Sequence, residues 1–125
     1  MFDHMSIGVR DLSAARRFYD AFFAPLGHAN AWDQPTEMAY GPKGETRLFF
    51  IYPVKGEQVA GLGTHIAFAG DSKGAIDAAF QAAVEEGATV VRKAGPHPDI
   101  APDYYGAVLL DPDGNKLEVV LGAMH

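Results

Sequence analysis

Two histidines and one carboxylate, His4, His65 and Glu118, are the side chains here best suited to joint chemistry. Imidazole nitrogens and a carboxylate oxygen bind divalent metal ions well, and a two-histidine, one-carboxylate set leaves coordination positions open. A metal held in that way polarises, as a Lewis acid, whichever oxygen fills its open side. An isolated strand histidine is more commonly a hydrogen-bonded structural residue, so the placement of all three decides the matter.

Alternate residues of a strand point to opposite sheet faces. In the first apolar stretch Met5, Ile7 and Val9 share one face and His4, Ser6 and Gly8 the other. The same split of bulky against small recurs where Ile66 and Phe68 oppose His65, Ala67 and Ala69. Near the end of the chain Leu117, Val119 and Leu121 oppose Glu118 and Val120. Bulky faces must pack under amphipathic helices, which leaves the small-residue faces to line a concave surface carrying the three candidate ligands.

The elements that position these residues occur twice. After the first stretch, Asp11 precedes a helical pattern with Leu12, Ala15, Tyr19 and Phe22 on one stripe; after the second, Asp71-Ser72 precede one with Ile76, Phe80, Ala83 and Val84. Gly27 and Gly87 follow the two helices as terminators. His4 and His65, and Gly27 and Gly87, repeat at nearly the same offset, which marks a tandem duplication. Strands are expected near 29–32, 36–40 and 47–52 in the first half, and near 89–93, 105–110 and 116–121 in the second. Turn residues separate them at Gly41-Pro42-Lys43-Gly44 and Asp111-Pro112-Asp113-Gly114-Asn115. Each half therefore reads β-α-β-β-β, an α+β class. The connector Lys55 to Gly63 is too short to separate independent domains, so one domain is expected over 1–125, with modules at about 1–57 and 62–123.

Composition removes several function classes. The 125 residues carry a formal charge of −6 with scattered lysines and arginines, which argues against a duplex nucleic-acid binder. No apolar run approaches the ~20 residues of a membrane span. Without cysteine there is no disulfide or thiolate chemistry, and with no secretory leader pattern the expected location is cytoplasmic. Gly61-Leu62-Gly63 lacks a third glycine and precedes a strand, so it is not a dinucleotide fingerprint. No serine stands in a nucleophile elbow.

Three segments, His4 to Tyr19, Gly63 to Phe68, and Asp111-Pro112-Asp113-Gly114-Asn115-Lys116-Leu117-Glu118, carry a resemblance to the glyoxalase, bleomycin-resistance and extradiol dioxygenase (vicinal oxygen chelate) superfamily. It covers nearly the whole chain in order, and the last segment is its most specific part. The resemblance implies paired βαβββ modules forming a cup-shaped mixed sheet with helices outside, usually completed in a homodimer. It implies metal ligation by His4, His65 and Glu118, with iron, manganese, nickel, zinc or magnesium as the divalent ion. It further implies a small oxygen-bearing substrate chelated to that ion, in lyase, isomerase or dioxygenase chemistry. A metal-free, small-molecule sequestering protein of the bleomycin-resistance type is the other reading. Glyoxalase I has a fourth ligand on the last strand of its first module. Pairing Leu48-Phe49 with Leu117-Glu118 puts Phe49 there, which departs from a lactoylglutathione lyase.

Beyond the ligands, Glu118 or a metal-bound water is the base that position supports, and Tyr105 is a candidate proton donor at the start of its strand. Trp32, Tyr40, Phe49, Tyr52 and Tyr104 are candidates to line a pocket, with core or interface packing as the alternative. His97 lies in a three-proline loop that could cover the cleft mouth, or is a plain surface histidine.

Overall fold

The computed structural model describes residues 1–46 and 48–121. The order is β1 (Met5–Val9), α1 (Leu12–Phe23), β2 (Ala29–Gln34), β3 (Glu37–Gly41), β4 (Phe49–Pro53), then β5 (His65–Gly70), α2 (Lys73–Glu85), β6 (Thr89–Pro96), β7 (Tyr105–Leu110) and β8 (Lys116–Leu121). This is the duplicated β-α-β-β-β pattern. Helix α1 starts where the Asp11 carboxylate accepts from the amides of Ser13 and Ala14, and α2 where Ser72 Oγ accepts from Ala75. A 3-10 turn at Ala24–Leu26 ends on Gly27 at φ 83°, a left-handed value that glycine adopts without strain. Strand β6 runs past the expected Lys93 to Pro96, because two register irregularities let it keep pairing with β7 as far as Tyr105. Arg47, expected in the last strand of the first half, lies outside the described residues.

The strands form two four-stranded mixed sheets, ordered β1-β4-β3-β2 and β5-β8-β7-β6. In each, the first strand of the module runs parallel to the last, and the remaining pairings are antiparallel. One buried cluster joins the helix-bearing faces of both sheets: Ile7 and Val9 of β1, Ile66 of β5, Leu117 and Val119 of β8, and the α1 aromatics Phe18, Tyr19, Phe22 and Phe23. Phe68 of β5 reaches across the modules, its ring centroid 4.9 Å from Phe23 and 5.2 Å from Phe49, both edge-on. Edge-to-face pairs like these contribute about 0.5–1.5 kcal/mol each beyond their area. The opposite faces stay open, with His4, Ser6, His65, Ala67 and Ala69 exposed. Among the described residues no helix is long and apolar enough to cross a membrane.

A polar knot also ties the modules. Asp111, buried at the β7–β8 turn, accepts from Tyr19 Oη of α1 at 2.6 Å and from the Asn115 side-chain amide at 2.9 Å, while its other oxygen takes the amides of Asp113 and Asn115. Asn115 Nδ2 donates also to the Gly8 carbonyl of β1. The Asp-Pro-Asp-Gly-Asn run is thus structural: it locks the turn before β8 and clamps it to the first module.

Candidate metal centre on the open face of the second module

Parallel pairing of β5 with β8 puts Ala67 opposite Glu118, one step along from His65 opposite Lys116. Small Ala67 leaves the two functional side chains room to meet: His65 Nε2 lies 3.4 Å from Glu118 Oε1. The imidazole is 51% exposed and the carboxylate 13%. A ring nitrogen and a carboxylate oxygen converging from the open face fit as two donors to one divalent ion.

Glu118 is held from behind. Tyr104 Oη donates to Glu118 Oε2 at 2.7 Å, and burial followed by the adjacent carboxylate raises the phenol above its usual value, so it stays a donor. Its ring lies over Gly106, where a Cβ would come within 2.7 Å of Tyr104 Oη and 2.5 Å of the Val119 carbonyl. No other residue type leaves that path free. His97 packs edge-on against the Tyr104 ring, its Nε2 2.7 Å from the Lys93 carbonyl, and Arg92 pairs with Asp99 in the same hairpin. The three-proline segment therefore buttresses Tyr104.

Tyr105, the phenol singled out from the sequence, is on the other face. Antiparallel pairing sets Val108 opposite Glu118 and Ala107 opposite Val119, so even-numbered β7 residues share the Glu118 face and odd-numbered ones face the helices. Tyr105 Oη donates to Asp77 of α2 at 2.7 Å, and that hydrogen bond is the main cause of its raised pKa. The residue in reach of the carboxylate is its neighbour Tyr104. Strand parity referred to Glu118 is the signal that finds it.

His4 stands apart. Its Nδ1 meets the Asp3 carboxylate at 2.8 Å and its ring packs edge-on at 5.6 Å from Phe50. Among the described residues no group of three or more histidines and carboxylates is close enough to hold a metal. One chain thus brings together His65 and Glu118 but not His4. The pairing of β1 with β4 also corrects the fourth-ligand position. Ser6, equivalent to Ala67, pairs with Phe50, so Phe50 and not Phe49 stands where Glu118 stands in the second module. Phe49 is a core residue, as is Tyr40. Trp32 and Tyr52 are exposed, Tyr52 within reach of Ser6 Oγ at 3.2 Å. Glu37 was not foreseen: it shares the open face with Phe50 and lines cavities beside His4 and Trp32.

Paired βαβββ modules with a histidine and a glutamate on an open sheet face define a class, and comparison with known proteins places the chain in it. The chain belongs to the glyoxalase/bleomycin resistance protein/dioxygenase superfamily, whose model matches residues 1–119. It is similar to a glyoxalase/bleomycin resistance protein from Albidiferax ferrireducens T118, with 30% identity, TM-score 0.82, and 98% of this chain and 99% of that one covered. A glyoxalase-related enzyme from Fulvimarina pelagi (20% identity, TM-score 0.75, coverage 98% and 88%) shares the fold. So does the fosfomycin resistance protein FosX from Mesorhizobium loti (21% identity, TM-score 0.71, coverage 98% and 92%). No functionally curated protein matches the chain.

Proposed function

We propose that the protein is a metal-dependent enzyme in which His65 and Glu118 of one chain and His4 of a second copy hold one divalent ion. A small oxygen-bearing substrate chelates the open side, in lyase, isomerase or dioxygenase chemistry. The observation that carries this reading is the approach of His65 Nε2 to Glu118 Oε1 on an exposed face, with Tyr104 fixing the second carboxylate oxygen. His4 occupies the equivalent start of β1 on the open face of the first module. β1 and β5 are both edge strands, and a second copy laid across them would supply the third donor. Two-fold symmetry then makes two equal sites.

The ion supplies Lewis-acid polarisation of the chelated oxygen. The chain's own part is orientation and proton handling. Tyr104 keeps the Glu118 plane fixed, so its free lone pairs point to the same place in each cycle. Where the reaction removes a proton, Glu118 is the acceptor in reach. A second reading, a metal-free sequestering protein, draws support from the mainly apolar cavity beside Trp32.

Elemental analysis decides between them. After dialysis and reloading with iron, manganese, nickel, zinc or magnesium, the parent should retain about one ion per chain, and His4→Ala and His65→Ala should each lose it. Retention in either variant sinks the ligand set, and absence of any ion in the parent favours the sequestering protein.

A further inference from the structure

Two cavities on the open face of the first module, of about 310 and about 400 Å³, share Glu37, Thr46 and Phe50 and so form one trough. One end reaches His4 and Ser6; the other is lined by Trp32 and Leu48. We infer that this trough receives the non-chelating body of the substrate, and that this body is a flat apolar ring bearing a hydroxyl or amine donor toward Glu37. The chelating anchor in this inference rests on the reading of His4 as part of a metal centre, whereas the ring rests on the trough itself.

Cross-strand register builds the trough. Ser6, Phe50, Ala39 and Trp32 form one row across β1, β4, β3 and β2. Trp32 joins it through the irregularity between Asn30 and Trp32, the kind of bulge that re-aims a side chain beside a site. Small, wholly buried Ala39 separates the two aromatics, and Trp32 remains 47% exposed. A large indole left half in water beside another ring favours a planar apolar partner, since aromatic stacking adds to area burial. Each cavity falls within the few hundred cubic ångströms usual for small-molecule sites.

Glu37 supplies the polar requirement. It is half-buried on this face, and among the described residues its side chain makes no hydrogen bond or ion pair. A carboxylate so placed is satisfied by a ligand donor, and it discourages an anionic group at that point. The equivalent bulge of the second module carries Arg92, already paired with Asp99, so the duplicated backbone does not by itself demand an aromatic there. A short aliphatic substrate anchored at His4 would leave the Trp32 end unfilled.

Matched hydroxamic acids test this. Acetohydroxamic and benzohydroxamic acid share a chelating head and differ in the ring; 4-aminobenzohydroxamic acid adds a donor. By calorimetry on the zinc-loaded protein, the benzo compound should bind about tenfold tighter than the aceto compound. Trp32→Leu should bring that ratio to within about twofold while leaving acetohydroxamic acid unaffected, and Glu37→Gln should erase the further gain from the amine. Equal binding of the two acids by the parent, or a ratio that Trp32→Leu leaves unmoved, overturns the inference. So does gel filtration in which Trp32→Leu only dissociates a dimer. 2-Naphthol offered to chelator-treated protein reads the trough without metal. Binding that weakens about tenfold in Trp32→Leu keeps the ring inference even if the parent takes up no zinc, an outcome that sinks only the metal reading. No naphthol binding together with no hydroxamic acid preference overturns the ring.

Discussion

The same row of four positions crosses each module, and the two rows are built for different work. In the second it reads Ala67, Glu118, Val108 and Arg92; in the first, Ser6, Phe50, Ala39 and Trp32. Even the irregularity in the outer strand falls at the equivalent place, between Val90 and Arg92 and between Asn30 and Trp32. One backbone plan thus carries an ionic row and an aromatic row. The duplication fixed where side chains point, and substitution within it made the rows differ, with the Glu118 carboxylate and Arg92 in one and the Phe50 and Trp32 rings in the other, while a histidine, His65 or His4, stands at the start of the first strand in each half. Because His4 and His65 do not meet inside one chain, the halves become complementary only if the aromatic face of one copy meets the ionic face of another.

The largest effect expected from breaking this arrangement is an all-or-none one. His4→Ala and His65→Ala homodimers should each hold no ion. In a dimer mixed from the two variants, one site keeps both His4 and His65 while the other loses both. Refolding equal amounts together should therefore restore one ion per mixed dimer, read by elemental analysis on the isolated hybrid. A hybrid that stays empty, beside a parent that binds, would mean that ligands come from a single chain.

Next in size is the loss of the link between modules. Asp111→Ala leaves Tyr19 Oη and the Asn115 amide without their buried partner, at a cost of about 3 kcal/mol in denaturant unfolding. Both halves share one core, so tyrosine and tryptophan signals should still move in one transition. The same carboxyl sets a pH slope. Burial raises its pKa above 3.8, outweighing the hydrogen bonds that lower it, so the folded chain holds this proton to higher pH than the unfolded one. Its contribution is fully present below the unfolded pKa and is lost as pH rises through the folded value. Melting temperature followed upward from about pH 4 should show that decline in the parent, and Asp111→Asn should remove it.

How much of this was written in the chain locally can be judged residue by residue. The period of two, with bulky Ile66 and Phe68 against small Ala67 and Ala69, put His4, His65 and Glu118 on open faces before any pairing was known. Caps and terminal glycines bounded the helices, because those signals act within a few residues. Register was less accessible. Likeness of letters paired Phe49 with Glu118, whereas contact between β1 and β4, distant in sequence, makes the equivalent residue Phe50. Two adjacent tyrosines on one strand cannot be told apart from their own neighbourhood, since pairing with β8 decides which faces the carboxylate. A site of the proposed kind, completed by another copy, would not be written in local pattern at all. Glu37, by contrast, was within reach, because bulky Met38 and Tyr40 alternate with Glu37 and Ala39 just as in the other strands.

A smaller effect should follow from loosening the ionic row without removing a ligand. Tyr104→Phe deletes the donor to Glu118 Oε2, and Gly106→Ala displaces the ring that carries it. Outer-sphere hydrogen bonds of this kind are worth about 10–100-fold in metal affinity, and both variants should lose that much in a chelator competition. Melting temperature separates positioning from collapse: Tyr104→Phe keeps the ring packed against His97 and should stay near the parent. Affinity unchanged in both variants would reduce Tyr104 to a packing residue.

The smallest effect tests the parity argument itself. Tyr105 is one residue from Tyr104 and is likewise a hydrogen-bonded phenol, but it faces α2, where it meets Asp77 and has the Lys73 ammonium 5.1 Å from its ring centroid. Both contacts are at the surface, so Tyr105→Phe should cost under about 1 kcal/mol in stability. Metal affinity should remain within about twofold of the parent, below the 10–100-fold of an outer-sphere loss. If Tyr105→Phe instead weakened metal binding as much as Tyr104→Phe, the hydroxyl on the helix side would be acting through the sheet. The face assignment from the β7–β8 register would then no longer suffice to separate the two halves of the row.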